Sequence, residues 1–333
     1  MRNFNVTMVV NDHPPTPDWV GQRLAEHGVT FVERICKTSA EVIGVACEAD
    51  VVWLFGGSRV ITPEVLPHLK CCRVLMRTGT GTDDLPVAEA TRLGIVVANT
   101  PEAHMHSVAE HTIGLLFAVI RRIAVQDRLV RQGTWDRDRA WPNWHIVGQT
   151  LGLVGFGRIA RLVAKKTSGL EMKTIASDPA VDAQTMAECG VERVDLDELL
   201  RRADFISVHT PLLDQTHHLI GERELRMMKP KAVLINTSRG PIIDERALIR
   251  ALSEGWIGGA GLDVLETEPA PADHPLLQLD NVVVTPHIAG YFDEFWNTFW
   301  EHSVRTLIEV SKNRWPLWVV NRGVQPRWTP ASS

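Results

Sequence analysis

The sequence predicts an α/β protein built as two doubly wound parallel-sheet lobes, and three observations carry that prediction. Short apolar, β-rich runs alternate with amphipathic stretches along the 333 residues, which is how parallel strands joined by crossover helices read. The alternation occurs twice, and a loop rich in Trp and Pro (Trp135, Trp141, Pro142, Trp144) separates the two series. The second series opens on an apolar strand that runs into a glycine-rich turn at the head of a helix, from Leu151 to Ala160. A chain of this length is long for one core, so two domains are the default.

In the first series the strands fall at 6–10, 29–33, 51–55, 73–77 and 95–98, with helices between them such as 17–27 and 86–93. One long helical pattern then covers 107–132. After the glycine-rich turn, strands follow at 172–177, 205–209, 232–236, 259–264 and 282–285, with helices at 195–202 and 244–254. Near the C-terminus, Phe292, Phe295, Trp296, Phe299 and Trp300 repeat at helical spacing and mark a buried face.

Charge and cysteine usage narrow the partner. A net charge of -5, with both signs scattered, offers no basic stripe for nucleic acid or an anionic membrane, so a small molecule is the expected partner. Five cysteines (Cys36, Cys47, Cys71, Cys72, Cys189) form no Cys-x-x-Cys pair, and their odd number suits reduced thiols. No run reaches the ~18 apolar residues of a membrane span, and a cytoplasmic protein is expected. His104, His106 and His111 lack acidic or cysteine co-ligands at metal-site spacing, so no metal is expected.

The turn Gly155-x-Gly157-x-x-Ala160 has the form of a dinucleotide fingerprint. Gly155 suits the tight turn, Gly157 lets backbone N–H groups approach a pyrophosphate, and Ala160 is an allowed third position. The next strand ends in Asp178, about 20 residues on, where a carboxylate accepts from ribose hydroxyls and repels a 2′-phosphate. Pro179 supplies no cation in its place, so NAD is the expected cofactor.

Further motifs fall at strand ends: Val208 to Leu212, Ile235 to Gly240, Gly261 to Val264, Glu268-Pro269 and Thr285 to Gly290. With Gly79 to Asp83 and Val108 to Thr112, this ordered set closely resembles the D-isomer-specific 2-hydroxyacid dehydrogenase family, and its phosphoglycerate-type branch in particular. The resemblance implies a Rossmann cofactor domain at 105–287 inserted into a flavodoxin-like substrate domain formed by 1–104 and 288–333. It implies a homodimer built through the cofactor lobes. It also implies cofactor contacts from Arg158, Ile159, Thr210, Pro211, Thr216, Thr237 and Gly290, beside Gly155, Gly157 and Asp178, with Asp263 on the nicotinamide carboxamide.

Hydride transfer between a 2-hydroxy acid and its 2-oxo acid needs a carboxylate clamp, a carbonyl polariser and an acid. Arg239 fits the first two roles, because its planar fork pairs with carboxylate and carbonyl oxygen and keeps its charge. His287 is the candidate acid/base, since histidine titrates near neutrality. Resemblance assigns it proton transfer, with Glu268 as the partner that favours its imidazolium. In the first lobe Gly79, Thr80 and Gly81 are positioned to present N–H groups to a carboxylate, with Arg77 as a second clamp. The phosphoglycerate-type branch carries another arginine where this chain has Gly56, and Arg59 stands three residues out of register. Trp135, Trp141, Trp144, Trp296 and Trp300 favour an apolar substituent and offer a phosphate no countercharge, so an uncharged substrate side chain is expected, against which Arg77 and Arg59 are the cations a phosphate would use. Two alternatives stay open: phosphite-type oxidation on the same fold, and a non-catalytic NAD-sensing corepressor or binding protein.

Overall fold

The computed structural model describes residues 3–10, 15–55, 59–138 and 141–331, so Gly56 lies outside the described residues. Two compact units are formed, one from Met1–His104 with Asp293–Ser333, the other from Met105–Phe292.

The first unit runs β1 (Phe4–Val10), α1 (Asp18–Ala25), β2 (Val29–Ile35), α2 (Ser39–Ala46), β3 (Val51–Phe55), β4 (Val74–Arg77), α3 (Val87–Arg92) and β5 (Val96–Ala98). Its strands pair in parallel in the order β2-β1-β3-β4-β5, the flavodoxin-like arrangement. Successive strand side chains point to opposite faces, so β3 sends Val51, Trp53 and Phe55 into one core layer and Val52 and Leu54 into the other. Both faces are covered, which is why β3 is apolar throughout.

The second unit contains α4 (Met105–Ile120), α5 (Ile123–Arg131), β6 (Thr150–Val154), α6 (Arg158–Thr167), β7 (Lys173–Ser177), α7 (Ala183–Ala187) and β8 (Glu192–Arg193). It continues through α8 (Leu196–Arg202), β9 (Phe205–Val208), α9 (Glu222–Met227), β10 (Val233–Asn236), α10 (Glu245–Ser253), β11 (Gly259–Leu262) and β12 (Val282–Val284). The seven strands lie in the order β12-β11-β10-β9-β6-β7-β8, a Rossmann-like sheet whose order reverses between β6 and β9.

Three expectations are corrected. The single helix read over 107–132 is two helices, because Arg122 takes a left-handed conformation (φ 52°) between α4 and α5. Residues 288–292 stay with the second unit. Asp263 accepts from the N–H groups of Ile288 and Ala289, and Ser107 Oγ lies 2.9 Å from the carbonyl oxygens of Ala289 and Tyr291. The aromatic stripe splits as well. Within α11 (Phe295–Ser311), Phe295, Phe299 and Trp300 are buried in the first unit's core, whereas Trp296 keeps 39% of its surface exposed and Phe292, before the helix, keeps 40%.

Candidate functional site

The glycine turn is built by close approach. Gly155 has φ +89°, and a Cβ there would lie 2.9 Å from the carbonyl carbon and oxygen of His209. Only glycine lets the end of β6 pass so near the end of β9. A Cβ on Gly157 would meet nothing within 4 Å, so the space beside it is open. Helices α7, α8 and α10 begin with Asp182, Asp195 and Asp244, each accepting a backbone N–H of its own first turn. By contrast α6 begins on Gly157 with no capping side chain, leaving the first N–H groups, at Arg158 and Ile159, for an external acceptor. Asp178, just past β7, accepts from Phe156 N (2.7 Å) and Ala180 N (2.8 Å), which ties the carboxylate to the turn. This set fits a dinucleotide: an uncapped helix N-terminus suits pyrophosphate, and the Asp178 carboxylate retains lone pairs for ribose hydroxyls.

The segment after β9 closes on itself. Thr216 Oγ1 lies 2.7 Å from the Pro211 carbonyl and accepts from Leu213 N, so this hydroxyl shapes the loop that carries Thr210 and Pro211. Burial pushes the His209 imidazole down to about 4, so the ring, 2.9 Å from Ser207 Oγ, is neutral at neutral pH.

Arg239, Glu268 and His287 come from the ends of β10, β11 and β12. Asn236 accepts from Ser238 N and donates to the Arg239 carbonyl, folding the chain back after β10. The next residue, Gly240, lies so close to the backbone of Leu265 and Glu266 that a Cβ would sit 2.0 Å from the Leu265 carbonyl carbon. That contact brings the Arg239 turn against the Glu268 turn. Glu268 Oε1 accepts from Leu265 N (3.0 Å), and Oε2 lies 2.7 Å from His287 Nδ1. Burial alone raises the Glu268 pKa, but the His287 hydrogen bond and charge, Leu265 N–H and the Arg239 charge together hold it below its ordinary value. An ionised carboxylate only accepts, so Nδ1 of His287 donates and Nε2 is the nitrogen left to exchange a proton.

His287 itself has φ 55°, uncommon for a residue with a Cβ. Its N–H donates to the carbonyls of Asp263 (2.8 Å) and Thr285 (3.0 Å). Asp263, 2% exposed, also takes Thr285 Oγ1 at 2.5 Å, and His111 Nε2 reaches Thr285 Oγ1 at 2.9 Å. Thr237 Oγ1 lies 2.9 Å from Thr112 Oγ1 of α4, and Gly290 follows the braced turn. Sequence reading named Val108 to Thr112 and His111 on α4 but missed that this helix braces the His287 turn. Its signal was Ser107 and His111, one helical turn apart on a face that touches 285–291.

Within the first unit, Gly79 has φ +106° and donates its N–H to Thr100 Oγ1, so that N–H is not presented outward. Thr80 Oγ1 lies 3.2 Å from His104 Nε2, and its carbonyl accepts from Asn99. Gly81 completes the loop. Arg77 is held by Asp84 at 2.8 Å with both side chains largely buried.

Residues 113–289 match the family described as D-isomer specific 2-hydroxyacid dehydrogenase, NAD binding domain. Among similar proteins, glyoxylate reductase of Korarchaeum cryptofilum is 42% identical over 269 residues, covering 79% of this chain and 80% of the relative. D-3-phosphoglycerate dehydrogenase of Methanocaldococcus jannaschii is 42% identical over 258 residues, covering 77% of this chain and 49% of that longer protein. A glyoxylate reductase structure from Paecilomyes thermophila superposes with a TM-score of 0.87 at 27% identity, covering 96% of this chain and 99% of the other.

Proposed function

Since the chain belongs to the D-isomer-specific 2-hydroxyacid dehydrogenase family and is an NAD-dependent oxidoreductase of 2-hydroxy and 2-oxo acids, we propose that Arg239, Glu268 and His287 form its catalytic set. The observation that carries this reading is the 2.7 Å bond between His287 Nδ1 and Glu268, with Arg239 brought alongside by the Gly240 contact.

When bound, NAD supplies the hydride donor or acceptor at the substrate C2. Arg239 pairs its guanidinium with the substrate carboxylate and carbonyl oxygen, drawing electron density toward oxygen as reduction proceeds. His287, doubly protonated before reduction, gives the Nε2 proton to the nascent alkoxide and keeps Nδ1–H on Glu268. Oxidation reverses the transfer. In the cofactor cradle, Gly155, Gly157, Arg158 and Ile159 would receive the pyrophosphate and Asp178 the ribose. Thr210, Pro211, Thr216, Thr237 and Gly290 would hold the remainder of the cofactor, while Asp263, expected on the nicotinamide carboxamide, has its buried carboxylate bonded to Thr285, Ile288 and Ala289 and would act through that turn.

An uncharged substrate side chain is supported by Arg77, whose guanidinium is committed to Asp84 instead of standing ready for a phosphate. Exposed Ile123, Val130, Trp135, Trp141 and Val147 all lie in 123–147 of the second unit, and such apolar surface supports a homodimer formed there. Five free cysteines support a reducing compartment, the cytoplasm.

The decisive experiment follows NADH oxidation with a panel of 2-oxo acids. Wild type should reduce glyoxylate and apolar 2-oxo acids with higher kcat/KM than 3-phosphohydroxypyruvate. Arg239→Ala should lower kcat and raise KM for the acid while NADH affinity is retained. Wild-type turnover by Arg239→Ala would refute the assignment.

A further inference from the structure

Behind the His287 turn stands a second histidine that the catalytic scheme does not use. His111 Nε2 lies 2.9 Å from Thr285 Oγ1, which lies 2.5 Å from Asp263 Oδ1. A hydroxyl has one hydrogen, and Thr285 donates it to Asp263 Oδ1, so from His111 it accepts. His111 therefore carries hydrogen on Nε2.

The far end of this chain of bonds is the backbone around His287. Asp263 Oδ1 also accepts from Ile288 N (3.0 Å) and Oδ2 from Ala289 N (2.8 Å), while the Asp263 carbonyl accepts from His287 N (2.8 Å). One residue thus holds both sides of a left-handed turn. A conformation of that kind persists where its surroundings over-determine it, and such turns cluster at functional sites. The struts come from α4, since Ser107, four residues before His111, lies 2.9 Å from the Ala289 and Tyr291 carbonyl oxygens.

We propose that His111 and Thr285 are positioning residues for the His287 acid/base, setting the direction of its imidazole through Asp263 and the 287–289 backbone. This rests on the catalytic reading of His287 and Glu268. The charged groups facing the turn are Asp263, Glu268 and Arg239, with His111 behind it.

The test uses Thr285→Val and His111→Leu, which remove the bonds, against Thr285→Ser and His111→Gln, which keep a hydroxyl and a donor. Thr285→Val, nearly isosteric, carries the test if His111→Leu does not fold. Displacement of the acid by a fraction of an ångström to 1 Å should lower kcat roughly ten- to a hundredfold. KM for glyoxylate and NADH affinity should change little, and the high-pH fall of kcat/KM for reduction should move to lower pH as the Glu268 bond loosens. Ser and Gln variants should recover most of kcat, and the Val/Leu double variant should be about as impaired as either single change.

A second readout is independent of turnover. The NMR signal of the Glu268-bound His287 Nδ1–H, recorded without substrate, should shift or broaden in the Val and Leu variants. If that signal moves while Arg239→Ala turns over normally, positioning stands and the catalytic reading falls. An unmoved signal and an unmoved pH profile, with kcat falling only alongside melting temperature, would overturn the proposal.

Discussion

Glu268 Oε2 and His287 Nδ1 meet at 2.7 Å although their residues stand at the ends of different strands, β11 and β12. The carboxylate also holds Leu265 N, so it is fixed at both oxygens before any ligand arrives. Nearby Arg239 adds a positive charge that favours its ionised form.

That pairing gives the first prediction a sign. The Glu268 pKa is lowered, so the carboxylate is ionised above the ordinary carboxyl range and loses its bond only as pH falls through the lowered value. Reduction is limited at the other end, where His287 gives up its proton. Glu268→Gln should move that high-pH fall in kcat/KM to lower pH, because an amide favours the imidazolium less. An unchanged profile, measured where chemistry limits the rate, would separate the two residues.

Gly240→Ala tests the contact between two turns. A Cβ 2.0 Å from the Leu265 carbonyl carbon forces backbone apart, and no side-chain rotation relieves it. We expect a loss of about 1–3 kcal/mol in the stability of the second unit, with a larger fractional loss of kcat than of NADH affinity. Equal losses in both would argue against a link between Arg239 and Glu268 through this glycine.

Asp178→Ala should weaken NADH more than NADPH, since it removes the ribose acceptor and the charge that repels a 2′-phosphate. Titration of each cofactor by fluorescence reads the ratio directly. If both weaken equally, Asp178 serves only the Phe156 and Ala180 N–H groups it holds in the structure.

His209 supplies a stability prediction of the same sign as Glu268 from a different cause, burial of a neutral ring instead of pairing of a charge. Burial lowers the folded pKa to about 4, below that of the unfolded chain, so the unfolded state binds the extra proton first. Stability should fall, by of order 1–3 kcal/mol, as pH drops from about 6.5 to 4. His209→Gln should flatten the melting temperature across that window. A slope equal to wild type would place the acid sensitivity elsewhere.

Strands buried on both faces were legible because their apolar content leaves little alternative: 51–55 was read with the observed limits of β3, and the other strands that were read differ by a residue or two at their ends, whereas the exposed two-residue β8 was not read at all. The glycine turn was legible too, since strand, glycines and helix are contiguous. Arg122 was not. Nothing in its side chain announces a left-handed backbone, and the apolar periodicity continues across it. Phe292 and Trp296 misled for a related reason, because spacing reports a helix face but not how far the neighbouring surface extends. The His111–Thr285–Asp263 contacts were invisible for another: they join residues 174 and 22 positions apart, and no local pattern encodes such a meeting.

The first unit takes its last pieces from the far end of the chain. Helix α11 fills one face of its sheet with Trp300, Val304 and Leu307, and the Asn321 side chain accepts from Val97 N and donates to the Ile95 carbonyl. Val320 N donates to the Val97 carbonyl, and Arg327 reaches the Leu93 and Leu69 carbonyls. On the ribosome, then, the residues made first must wait. Strands β1 to β5 leave the exit tunnel with an apolar face uncovered, while 105–292 holds a complete core of its own. Protease challenge of arrested nascent chains should find the later-synthesised unit protected before the earlier one, so birth order and folding order run opposite ways.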